Sequence, residues 1–150
     1  MAQTLVEIIV LIVFSTKNRE NLISSNIESE LFAYIGGILR KHESNLLAAN
    51  GTENHVHLLI LQSKKIALSD LIREIKRASS LWIKQKDSNF GNFKWQGGYG
   101  AFSVSKLQVD VVKNYIAKQK EHHKKESFDD EYRKFLKRYD LDFDEKYFLG

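Results

Sequence analysis

The chain has 150 residues, 43% of them apolar, including nine Phe, six Tyr and two Trp, and carries a formal charge of +4. That apolar content suffices for one packed domain over 1–150 and excludes a disordered chain. There is no Cys, which excludes a disulfide scaffold, a thiolate nucleophile and any cysteine-ligated zinc site.

The run Leu5 to Phe14 (LVEIIVLIVF) holds Glu7 and no basic lead. It is too short for a membrane helix, which needs about 20 apolar residues, and it lacks the positive start of a signal peptide. Its Val and Ile content predicts a buried strand from about Thr4 to Ser15, closed by the polar turn Thr16 to Arg19. A cytoplasmic protein with no membrane partner is expected. A helix follows over Ile27 to His42, where Ile27, Leu31, Tyr34, Ile35, Ile38 and Leu39 form one apolar stripe.

Two short runs come next, Ser44 to Ala49 and His55 to Gln62, with Asn50-Gly51-Thr52-Glu53 between them. Asn-Gly between two such runs predicts a hairpin turn at that point. A second helix spans Leu68 to Lys86, with Ser69 as its expected N-cap. The glycine-rich loop Gly91 to Gly98 leads into a fourth strand over Tyr99 to Ser105. A third helix over Lys106 to His123 and a last one over Asp129 to Tyr139 complete the chain.

The first six elements read β-α-β-β-α-β, the order of a ferredoxin-like α+β fold: an antiparallel sheet with two helices on one face. Two C-terminal helices are left over. Many functions share this fold, so chemistry has to come from particular residues.

His55-Val56-His57 lies on the third strand. Side chains alternate along a strand, so both imidazoles face one side and can converge on one cation, whereas Val56 faces the other. The competing reading is a pair of histidines on a polar sheet face. Tyr115 and Gln119 stand four residues apart, which on a continuous helix puts both on one face. A phenol oxygen can form a covalent phosphodiester, but its free pKa near 10 calls for a nearby cation. A metal held by two His and the Gln carbonyl would polarise the scissile phosphate and neutralise developing charge.

Segments in order along nearly the whole chain resemble the HUH tyrosine transposases of the insertion-sequence-200-like family, the single-tyrosine group. They are Ile9 to Arg19, His55-Val56-His57, IKRASSLW (Ile75 to Trp82), WQGGYGAFSVS (Trp95 to Ser105), YIAKQKEHH (Tyr115 to His123), and Ser127-Phe128 with Glu131-Tyr132.

The resemblance implies Tyr115 as nucleophile on an added C-terminal helix, and His55, His57 and Gln119 as ligands for Mg2+ or Mn2+. It implies a 5′-phosphotyrosine intermediate, single-stranded DNA with hairpin ends as partner, and a homodimer in which one subunit's tyrosine helix serves the other's metal site. Lys76 and Arg77 are then candidate phosphate contacts and Trp95 a candidate base-stacking platform. His122 and His123 are expected at the surface. Two positions depart from the family pattern: Leu11 stands where many relatives carry His, and Asn54 where an Asp often precedes the His pair.

Three other readings compete. One is a domesticated relative that cuts repeated hairpins in its host genome. Another is a replication initiator or relaxase of the same chemistry. The third is a non-catalytic single-strand binding module that uses aromatics on an open sheet.

Overall fold

In the computed structural model, residues 2–86, 88–124 and 126–138 are described. The elements are β1 (Ile8–Ser15), α1 (Ser25–Lys41), β2 (Asn45–Thr52), β3 (His55–Gln62), α2 (Leu68–Lys86), β4 (Gly100–Ser103), α3 (Val109–Ala117), α4 (Gln119–His122) and α5 (Phe128–Arg138). The sheet order is β2-β3-β1-β4, with every neighbouring pair antiparallel. This is the predicted ferredoxin-like α+β arrangement, in which each βαβ unit is split by a strand from the other.

The central strands are largely apolar because both of their faces are buried. Val10, Ile12 and Phe14 of β1 join Val56, Leu58 and Ile60 of β3 under α1 and α2, where Leu31, Ile35, Leu39, Leu71, Ile72 and Ile75 close the first core. The alternate residues Ile9, Leu11, Val13 and Leu59 form a second core with Phe102, Ile116, Phe128, Tyr132 and Leu136. The surplus helices thus cover the opposite face of the sheet. Each Leu or Ile fully withdrawn from water contributes about 1.5–3 kcal/mol, so both layers matter to stability.

Several element boundaries differ from expectation. β1 starts at Ile8, since its ladder with β3 ends at the Ile8–Gln62 pair, and Leu5 is exposed. β4 is likewise confined to the four residues that pair with β1. Ser69 lies inside the first turn of α2 and not before it.

The hairpin turn is not at Asn50-Gly51. Pairing continues through Asn50–His57, Gly51–Val56 and Thr52–His55, so the chain turns at Glu53-Asn54. Gly51 serves close approach instead of a turn: a Cβ there would stand 2.2 Å from the carbonyl oxygen of His55. Asn50 is held by other work, its amide donating to the carbonyls of Ile116 at 3.0 Å and Ala117 at 3.3 Å, at the end of α3.

The single helix expected over Lys106 to His123 is broken. A short 3-10 turn precedes α3, and Lys118, at φ −98° and ψ 14°, separates α3 from α4. The last helix starts one residue early, and Tyr139 lies outside the described residues. Among the described residues no helix is long and apolar enough to cross a membrane.

Candidate functional site

The site forms where β3 begins. His55 and His57 share the sheet face covered by α3, α4 and α5, and both are fully buried, which removes the alternative of an exposed polar face. Their rings stand 5.2 Å apart between centroids.

The turn before β3 sets the orientation of His55. Its Nδ1 lies 2.9 Å from Asn54 Oδ1 and 2.9 Å from Thr52 Oγ1. An amide oxygen only accepts, so Nδ1 carries the proton and Nε2 keeps its lone pair. Asn54 therefore supplies, as a neutral carbonyl, the orienting acceptor that an Asp would supply as an anion.

That lone pair faces the α4 side of the site. His55 Nε2 is 3.3 Å from Gln119 Oε1, and Gln119 is fully buried. The helix break decides this geometry. Lys118 N donates to Tyr115 O, and the next turn restarts from Lys118 O, so Gln119 swings inward at the start of α4 instead of standing one turn above Tyr115. Tyr115 stays on α3, half-buried, with its ring 5.8 Å from that of His57 and 5.0 Å from that of His122. The four residues expected at the metal centre thus lie close together within one chain.

Two further residues were missed. Glu131 on α5 is buried, with Oε1 3.2 Å from His57 Nε2 and 3.3 Å from Gln119 Nε2. Its other oxygen meets His123 Nε2. His123, expected at the surface, also packs against His55 in a tilted contact, 4.3 Å between centroids. A signal for Glu131 existed: it shares the apolar stripe of Phe128, Tyr132 and Leu136, where an acid is out of place. No comparable signal marked His123 among its charged neighbours.

Burial dominates the electrostatics. It lowers His55 well below the ordinary imidazole range and His57 to about 3. It raises Glu131 to about 7 and lowers His123. Neutral imidazoles are the form that binds metal. The ligand atoms of His55, His57 and Glu131 lie within 4.8 Å of one another. Two imidazole nitrogens, an amide oxygen and a carboxylate facing one buried space fit a divalent cation.

The predicted DNA contacts lie across the sheet, in a cleft of about 680 Å³ between α2 and the 94–99 loop. Lys17, Arg73, Lys76, Arg77 and Lys94 line it, and among the described residues no carboxylate does. Lys76 is partly committed: its Nζ donates to the carbonyls of Gln96 at 2.9 Å and Gly98 at 2.7 Å, and burial lowers it to about 8. Arg77 is exposed and paired with Glu74. Trp95 does not present a platform. Its ring packs edge-on against Phe14 and Phe93, and its indole N–H donates to Ser79 Oγ at 3.0 Å. Core packing of the loop outweighs stacking at that position.

The model of the family described as "Transposase IS200 like" matches residues 4–119. The chain belongs to the IS200-like transposase family. Comparison with curated proteins gave no match. Among solved structures, one provisionally assigned as a transposase, from Deinococcus radiodurans R1, superposes with a TM-score of 0.62 at 19% identity. It covers 79% of this chain and 95% of that one. A REP-associated tyrosine transposase bound to a REP hairpin superposes with a TM-score of 0.58 at 15% identity, over 82% of this chain and 73% of that one. At such identities the likeness bears on fold alone. The family match includes His55, His57, Tyr115 and Gln119 and stops short of α5.

Leu11 pairs with Leu59 and packs into the second core.

Proposed function

We propose that this transposase cleaves and rejoins single-stranded DNA at hairpin-bearing ends through a covalent bond to Tyr115. His55, His57 and Gln119 would hold Mg2+ or Mn2+. The observation that carries the reading is the convergence of His55 Nε2 and Gln119 Oε1 beside the Tyr115–His57 ring pair, from three separate elements.

In the reaction the phenol oxygen of Tyr115 bonds to phosphorus, the P–O3′ bond breaks, and the 3′ oxygen leaves as a hydroxyl. The ester energy is retained in the phosphotyrosine, so a 3′-hydroxyl can reverse the step and join a new end without a nucleotide cofactor. Bound metal supplies polarisation of the scissile phosphate and screening of its charge. The chain's own part is placement. Asn54 fixes His55, the Lys118 break aims Gln119, and α3 packing through Ile116 fixes the tyrosine's depth. The basic cleft holds the sugar–phosphate backbone without reading sequence.

The ring of Tyr115 neighbours His57 of its own chain, which favours a site completed within one subunit. A dimer exchanging tyrosine helices is not needed for that geometry. A repeat-hairpin nuclease would use the same residues; hairpin-forming ends flanking the gene would mark a mobile element instead. The non-catalytic sheet-binding module is disfavoured because helices cover both sheet faces.

The test is cleavage of a hairpin-bearing single strand with Mn2+, followed by denaturing electrophoresis for a protein–DNA adduct. Wild-type protein forms the adduct; Tyr115→Phe binds the same DNA and forms none. Adducts from the Phe variant would remove Tyr115 from its role.

A further inference from the structure

Three features beyond the assigned residues stand out: the basic cleft, an aromatic groove between α1 and α2, and Glu131. The groove holds the stacked pair Tyr34–Trp82, but nothing in the structure says what covers it. The cleft belongs to the DNA contacts already described. Glu131 carries further.

Its position calls for compensation. Glu131 sits between Phe128 and Tyr132 on the buried stripe of α5, with its side chain 4% exposed. A Leu there would extend the second core, whereas a buried carboxylate must be compensated by a cation or by hydrogen bonds. Gln119 Nε2 donates to Glu131 Oε1 at 3.3 Å, and the second oxygen of Glu131 meets His123 Nε2. Oε1 is also aimed at the imidazole pair, 3.2 Å from His57 Nε2.

The assigned ligands lack what Glu131 has. Two imidazoles and one amide carry no net charge, and a hard dication such as Mg2+ is bound through carboxylate oxygen in most protein sites. The missing anionic oxygen is within the cluster, contributed by a helix outside the family-matched segment.

We propose that Glu131 is the carboxylate ligand of the cation site, so that bound metal fastens α5 onto the sheet. This rests on His55, His57 and Gln119 being the other ligands. His123 then positions the carboxylate by holding its second oxygen. Gln119 is oriented by the same group: its Nε2 donates to Glu131, which leaves Oε1 for the cation. Metal loading and α5 docking become one equilibrium, because a ligand that binds only the docked form stabilises it.

The test uses full-length protein, Mn2+ and no DNA. Titration calorimetry measures affinity, and hydrogen exchange follows the amides of 128–138 with and without Mn2+. Wild-type protein should bind Mn2+ and slow exchange across α5. Glu131→Gln, which keeps shape and removes charge, should weaken binding by more than about tenfold, at least the loss expected from disturbing a group that merely supports a ligand. It should also abolish the added protection. Metal-free Glu131→Gln should melt no lower than wild type, since it relieves a buried acid.

Equal Mn2+ affinity in the variant overturns the proposal, as does unchanged α5 exchange in wild type, a result that needs no variant to fold. Failure of wild type to bind Mn2+ overturns the whole ligand set. Tyr115-dependent adduct formation, measured separately, distinguishes that failure from failure of the cleavage reading.

Discussion

Asn54 shows how a neutral side chain can orient a buried imidazole. Where an acid would hold the imidazole with a full charge, its amide oxygen takes the same proton at 2.9 Å. The orientation survives and the basicity contributed by an anion does not. Asn54→Asp should tighten Mn2+ binding several-fold, read by calorimetry; weaker binding would contradict this role. The His pair and Gln119 were legible in sequence because alternation on a strand and a family pattern both point to them. Glu131 and His123 were not singled out, since an acid on α5 gains meaning only when that helix is folded against β3.

The buried titratable groups also set acid stability. His55 and His57 stay neutral in the fold, whereas an unfolded His takes up a proton near pH 6.5, so stability falls as pH drops from 6.5 toward 3. Glu131 works in the other direction: its stabilising contribution is present below 4.5 and lost as pH rises through about 7. The two oppose one another between 4.5 and 6.5, and only the histidine effect remains below 4.5. Metal-free protein should therefore lose stability most steeply below pH 4.5, and His57→Gln should flatten that loss. Denaturant unfolding across pH checks it; an equally steep loss in the variant would sink the assignment.

At the scale of elements, the β2–β3 hairpin carries the most consequence. Local turn chemistry pointed to Asn50-Gly51, but ladder pairing and the clasp of Asn50 on the end of α3 prolong both strands past it. Local propensity lost to tertiary contacts, as it often does in strands. The same contest broke the expected Lys106–His123 helix at Lys118, and periodicity alone could not register a change of direction whose purpose is to bury Gln119. Gly51→Ala would drive a Cβ into the His55 carbonyl and push the strands apart. It should cost about 1–3 kcal/mol and weaken Mn2+ binding, since His55 moves with its strand. Asn50→Ala should cost about 1 kcal/mol through the lost bonds to α3. Denaturant midpoints measure both.

Across the whole molecule, the sheet separates two functions that meet at one end. Ser15 pairs with His55 on the metal side, while its backbone exchanges hydrogen bonds with Gln96, N to Oε1 at 2.7 Å and O from N at 2.9 Å, on the loop that lines the basic cleft. A DNA strand held in the cleft, as proposed, would thereby pass near the end of β1 beside the imidazoles. The β-α-β-β-α-β core was readable from hydrophobic periodicity. That the surplus helices roof the second sheet face was not, because their apolar stripes fix what they bury and not where. Binding to single strands should weaken with salt, and Arg73→Ala with Lys94→Ala should flatten the slope of log K against log salt by about 1.4, the share of two phosphate contacts. An unchanged slope would place the DNA elsewhere.

The central claim is that one chain supplies both the imidazole pair and the phenol. Mixing His57→Ala with Tyr115→Phe protein tests it, each variant being inactive alone in Mn2+-dependent adduct formation. The mixture should stay inactive, because each subunit lacks part of its own site. Recovery of adducts in the mixture would show that the tyrosine works in trans and would contradict the account.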